Sequence, residues 1–299
     1  MIDTTHYAKP SLLRRIIAFP LTLLVLEFAA VVVFASALSE AAKAAGIMDK
    51  GPADTLGSVV LVVLTIGLWK FLQYKLERRT DREFALPGAA KELAVGLAIG
   101  FALFSIATGL VALLGGFEVL GLRGTGALWS MLSLAVVSGV FEEIMMRGIL
   151  LRHLETMLGS WAALGLSAAI FGALHLPNPG ATMFAAFAIA MEAGILLGAA
   201  YLLTRRLWLA IGIHAAWNFT QGWVFSVPVS GGDAPLGLLI TRRVGPDWLT
   251  GGGFGLEASV VALVVASAAG LAMLAFAARR GQIQPAPWRK SIAASQTNE

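Results

Sequence analysis

Eight apolar stretches constrain this chain more than any other feature; they fall near residues 16–38, 56–72, 91–115, 127–150, 160–177, 181–203, 207–226 and 257–278. A bilayer core takes a helix of about 20 apolar residues, and in lipid the backbone must satisfy its own polar groups. Successive runs of this length therefore predict an all-α fold, a polytopic membrane helix bundle of about eight spans. Composition agrees, since 58% of the 299 residues are hydrophobic and 13% are charged, against about 25% charged in a soluble domain. Residues 1–299 read as a single integral membrane domain, and Gly281 to Glu299, polar and carrying Pro285 and Pro287, read as a disordered tail.

An even number of spans puts both termini on one side, and the basic residues say which. Arg14, Arg15, Arg78, Arg79, Arg205, Arg206, Arg279 and Arg280 fall on the terminal side, whereas Lys43, Lys50, Arg123, Arg242 and Arg243 fall on the other. The positive-inside rule then makes the protein a multi-pass protein of the cell membrane with N- and C-termini cytoplasmic. The net charge of +4 reflects basic loops at the membrane surface rather than a nucleic-acid partner. Ala35-Ser36-Ala37 resembles a signal-peptidase site, but its run is too long for a signal peptide and reads as an uncleaved first helix. Residues 227–256, rich in Gly and Pro, read as one long outer loop. Gly109–Gly116 and Gly194–Gly198 carry the small residues of close helix packing. The absence of cysteine excludes disulfides, thiolate metal sites and a cysteine nucleophile.

Charges inside the fourth run mark the candidate site. An ionisable group at the bilayer centre costs about 2.5–3.5 kcal/mol on insertion scales, yet Glu142, Glu143 and Arg147 lie together in SGVFEEIMMR. Residues four apart share a helix face, so Glu143 and Arg147 can pair, and Glu142 is left over. Two of the four histidines, His175 and His214, are also in apolar segments, with Phe171 one turn before the first and Asn218 one turn after the second. A hairpin turning at Leu158-Gly159-Ser160 would set Glu142 level with His175. His214 stands about eight residues past Arg205-Arg206, so all of these groups can share one layer, placed nearer the cytoplasm. Such a layer suits hydrolysis: a carboxylate as base, imidazoles to orient water or bind zinc, and an asparagine amide to donate to an oxyanion. Glu192 is a further membrane carboxylate that could line the cavity or pair with Arg205.

Glu142-Glu143-x-x-x-Arg147, Phe171-x-x-x-His175 and His214-x-x-x-Asn218 resemble the motifs of the CPBP (CAAX protease and bacteriocin-processing, or Abi) intramembrane proteases. That family is similar to the eukaryotic type II CAAX prenyl endopeptidase. The resemblance covers roughly residues 127–222, a protease-like core. It implies a metalloprotease or glutamate endopeptidase opening toward the cytoplasm and cutting a peptide or protein substrate at the membrane. Glu142 and His175 would activate water, His214 and Asn218 would hold the oxyanion, and Glu143 and Arg147 would brace the site. If a metal is used, zinc is expected on Glu143, His175 and His214. Two other classes fit the composition: a non-catalytic membrane scaffold or bacteriocin-immunity protein keeping the fold, and a proton-coupled transporter using the same charges. No pair of broken helices in matching halves supports the transporter, and no Gly-x-Ser-Gly precedes a helical His as a serine protease would need.

Overall fold

In the computed structural model, residues 11–46, 51–80 and 82–288 are described. Lys9, Lys50, Arg289, Lys290 and residues 289–299 of the expected tail lie outside them. A short helix α1 (Leu12–Ile17) leads into α2 (Pro20–Ala44), then α3 (Pro52–Leu72), which ends in a π-helical turn, Gln73–Glu77. After α4 (Ala89–Leu113) and strand β1 (Phe117–Leu122) comes α5 (Leu128–Glu143), continuous with a π-helical stretch, Ile144–Leu151, and α6 (Arg152–Leu158). The remaining elements are α7 (Ser160–Leu174), α8 (Met183–Ile189) with a π-helical stretch Ala190–Ile195 into α9 (Leu196–Thr204), and α10 (Trp208–Phe219) with a π turn Thr220–Val224. Strand β2 (Leu239–Arg243), α11 (Asp247–Thr250), a short 3-10 turn Leu256–Ala258 and α12 (Val260–Arg279) complete the chain.

The helical rods follow the eight apolar runs, but five of them are long and apolar enough to cross a membrane: Pro20–Ala44, Pro52–Glu77, Ala89–Leu113, Met183–Thr204 and Val260–Arg279. The three that fall short are the α5–α6 rod, α7 and α10, the helices that carry the Glu142, His175 and His214 motifs. Helix α7 keeps one exposed apolar face, with Trp161, Leu166 and Leu174, whereas all eight residues of Ile144–Leu151 and most of α10 are buried. A helix surrounded by protein can hold charge that a lipid-facing one cannot.

Contacts define the two ends of the bundle. At one end, positive-φ Gly159 turns the α6–α7 hairpin where the sequence places it, Leu207 N donates to Glu83 O at 3.0 Å, and Arg205 pairs with Glu155 at 2.5 Å. Residues 281–288 are docked there rather than disordered: Ser160 N donates to Gln284 O at 2.9 Å, and Gln284 N to Ser160 Oγ at 2.8 Å. At the other end β1 pairs antiparallel with β2, Phe117 opposite Arg243 and Glu118 opposite Arg242. This ribbon is absent from the sequence reading. The segment 227–256, expected as an open loop, instead buries Val227, Leu249 and Phe254.

Small residues set how closely α10 is held. A Cβ on Gly96 of α4 would sit 2.5 Å from Leu209 O, and one on Gly139 of α5 would sit 2.9 Å from the Ala215 Cβ. Helix α10 is thus clamped between α4 and α5, which fixes where His214 projects. The expected contact at Gly194 is present, 2.6 Å from the Ala168 Cβ, whereas Gly109 meets nothing within 4 Å. Gly96→Ala is therefore expected to destabilise the protein by about 1–3 kcal/mol through overpacking, lowering the unfolding midpoint in detergent, while Gly109→Ala is expected to hold or raise it.

Candidate active site

The site is built on one buried carboxylate. Glu143, with no exposed surface, accepts from Arg147 Nη1 at 2.8 Å and from His214 Nδ1 at 2.9 Å, both at Oε1. The pairing with Arg147 is the one the four-residue spacing predicts. Arg147 goes further: Nη2 donates to Ala193 O at 2.5 Å and to Gly194 O at 3.3 Å, and the guanidinium lies 5.0 Å from the Phe171 ring centre. The carbonyls of Ala193 and Gly194 belong to the π-helical stretch Ala190–Ile195. π turns are frequent where a helix serves a site, because the extra residue re-aims groups that a straight helix would keep to itself.

Both histidines have one nitrogen committed to the framework. His175 caps α7 and places Nδ1 2.8 Å from Phe171 O. A carbonyl only accepts, so Nδ1 carries the proton and Nε2 is left with a lone pair. His214 likewise gives its Nδ1 proton to the Glu143 carboxylate, and its Nε2 stands 3.9 Å from Glu142 Oε2. Asn218 donates from Nδ2 to Ser138 Oγ at 2.9 Å, which uses one of its two amide hydrogens. Ser138 is held in turn by Leu134 O at 2.8 Å. Sequence reasoning did not assign Ser138 a place in the site, although it precedes Glu142 by one helical turn.

Glu142 is the group with no such anchor. Its side chain is 33% exposed, against 0% for Glu143. With His175, Asn218 and Ser230 it lines two adjoining cavities. The smaller is also lined by Phe171, His214, Trp217, Glu192 and Glu257. The larger leads out past Ser138 and Asn178 to Ser39 and Asp54, at the bundle end opposite Gly159. Glu142, His175 and His214 do share a layer, but its opening faces the β1–β2 end, so cytoplasmic termini and a cytoplasmic mouth cannot both hold. Glu192 lines the cavity and does not pair with Arg205, which is held by Glu155. Ser230 and Glu257, from beyond the sequence motifs, complete the walls.

Zinc fits these residues poorly. Among the described residues, the one group of three His, Asp or Glu with ligand atoms within 4.8 Å of one another is Glu27, Glu77 and His153, where Arg152 already occupies Glu27 and Glu77. Glu143, His175 and His214 are not gathered in this way, and Glu143 Oε1 is already shared by two donors.

A family model described as "Type II CAAX prenyl endopeptidase Rce1-like" matches residues 124–220. This segment is similar to the Rce1-like family. The Rce1-like segment covers about a third of the chain and contains every motif residue from Glu142 to Asn218, while Ser230 and Glu257 lie outside it. No curated protein and no solved structure matches the chain. Together with the apolar helices, the match makes this a multi-pass membrane protein of CAAX-protease type.

The buried pair gives a direct test. Arg147→Met leaves the Glu143 charge buried without its guanidinium and is expected to cost about 3–5 kcal/mol. The double change Glu143→Gln, Arg147→Met is expected to cost less than the single one. Thermal unfolding in detergent compares them, and a neutral single variant would refute the bridging role.

Proposed function

We propose that this protein is an intramembrane endopeptidase of eight spans that hydrolyses a peptide bond in a membrane-associated or CAAX-like substrate by attack of water. One observation carries the reading: Glu142 and the free Nε2 of His175 face the same cavity as His214 and Asn218, while His175 Nδ1, His214 Nδ1 and one Asn218 amide hydrogen are tied into the framework. In the proposed reaction Glu142 takes a proton from water as the water oxygen attacks the scissile carbonyl. The lone pair on His175 Nε2 accepts the second water hydrogen and fixes the direction of attack. The oxyanion accepts the remaining Asn218 amide hydrogen and, when His214 is protonated, its Nε2–H. Glu142 then returns its proton to the departing amine, so acid and amine are released and the enzyme is unchanged. Glu143 positions His214 and does not touch the substrate.

Glu142→Gln removes the base but none of the framework contacts. It is expected to reduce cleavage of a quenched fluorescent peptide library at least about 10²-fold, the usual share of a general base, with the unfolding midpoint preserved. Wild-type rates in that variant would refute the assignment.

We also propose that the termini are cytoplasmic and that the mouth near Asp54 opens on the outer face. The chain has no cysteine, so single cysteines report position cleanly. A membrane-impermeant maleimide on intact cells is expected to label Asp54→Cys, and to label Arg280→Cys only after permeabilisation. The reverse pattern would restore a cytoplasmic mouth and overturn the orientation.

A further inference from the structure

Five glutamates among the described residues are buried: Glu27, Glu83, Glu143, Glu192 and Glu257. The first three each have an arginine within 4 Å, namely Arg152, Arg79 and Arg147. Glu192 and Glu257 have no such cation among the described residues. Both line the inner cavity. Neither carboxylate oxygen of Glu192, which is 3% exposed, has a hydrogen-bond partner. Glu257, by contrast, accepts from the Ser230 backbone N–H and from the Ser230 and Gln221 side chains. Buried carboxylates are ordinarily paired or neutralised, because leaving one without a partner forfeits its solvation. A carboxylate left open on a cavity wall, with a second beside it, is complementary to a cation that arrives from outside.

The walls of this cavity narrow the choice of cation. Leu196, Leu197, Ile213, Trp217 and Ala266 line the same cavity, an apolar wall that suits the methylene stem of a lysine or arginine whose charged head meets a carboxylate. Glu142 and His175, where the scissile bond would lie, line it too. We infer that Glu192 and Glu257 form a specificity pocket for a basic side chain of the substrate, adjacent to the bond that is cut. This rests on the endopeptidase reading and adds a substrate class to it: peptides with Lys or Arg beside the scissile bond. It also gives Glu192 a reason to stay buried without an internal partner, since an arginine there would fill the pocket.

The test uses two measurements on the full chain in detergent. In the first, n-pentylammonium and n-pentanol are compared as stabilisers in thermal unfolding, with wild type, Glu257→Gln and the Glu192→Gln, Glu257→Gln double variant. The amine is expected to raise the wild-type midpoint more than the alcohol, and the difference is expected to vanish in the double variant. In the second, peptides differing only by Lys, Arg, Met or Glu at the residues flanking the scissile bond are cleaved in competition. Lys or Arg is expected to exceed Met by roughly 100-fold in kcat/KM, the scale of a desolvated charge pair, and that ratio is expected to fall toward unity in the double variant. Cleavage with no preference for a basic residue would overturn the pocket and leave the endopeptidase reading standing. An amine-specific shift with no cleavage of any peptide would support the pocket and count against the endopeptidase. Equal shifts with amine and alcohol would overturn the pocket whether or not peptides are cut.

Discussion

One oxygen of Glu143 holds the site together. Oε1 joins Arg147, one helical turn along, to His214 on α10, and Arg147 carries the link on to the carbonyls of Ala193 and Gly194 and to the face of Phe171. Four helical rods are thereby fixed through a single charge. In a medium without water such a charge has no alternative partner, so the arrangement is tolerated only while all its members are in place. Reactive groups can then be left unsatisfied beside it without loosening the fold.

That division of labour separates neighbours that look alike. Glu142 and Glu143 are adjacent in sequence, but a 100° step around the helix sends one to the framework and the other to the cavity. Each histidine repeats the division within a single ring, one nitrogen donating to a fixed acceptor and the other left open. Asn218 does so within a single amide. The burial of Ile144–Leu151 and of α10 makes this possible, because the charged groups lie where protein rather than lipid surrounds them.

Much of this was legible in the sequence because it rests on local periodicity. Apolar runs gave the rods, Gly159 gave the hairpin turn, and four-residue spacings gave Glu143–Arg147, Phe171–His175 and His214–Asn218. What stayed hidden depends on contacts between distant segments. The β1–β2 ribbon pairs Glu118 with Arg242 across more than a hundred residues, and neither short strand alternates strongly enough to announce itself. The Gly96 contact with α10 reads as an ordinary membrane glycine until the two helices are brought together. The conflict between cytoplasmic termini and a cytoplasmic mouth was not visible either, because hairpin arithmetic levels side chains but does not say which end of a layer is open. Glu257 sits at the edge of the last apolar run, where nothing local distinguishes it from an interfacial charge.

The central claim, that water activated by Glu142 attacks the peptide directly, is tested most directly by isotope transfer in a single turnover. Enzyme in excess over a cleavable peptide is placed in ¹⁸O-water, and the new carboxyl group is weighed by mass spectrometry before a second turnover can occur. Direct attack by water predicts one ¹⁸O in the product of that first turnover. An unlabelled carboxyl would mean that the oxygen came from Glu142 itself through a covalent acyl intermediate, and would contradict the account.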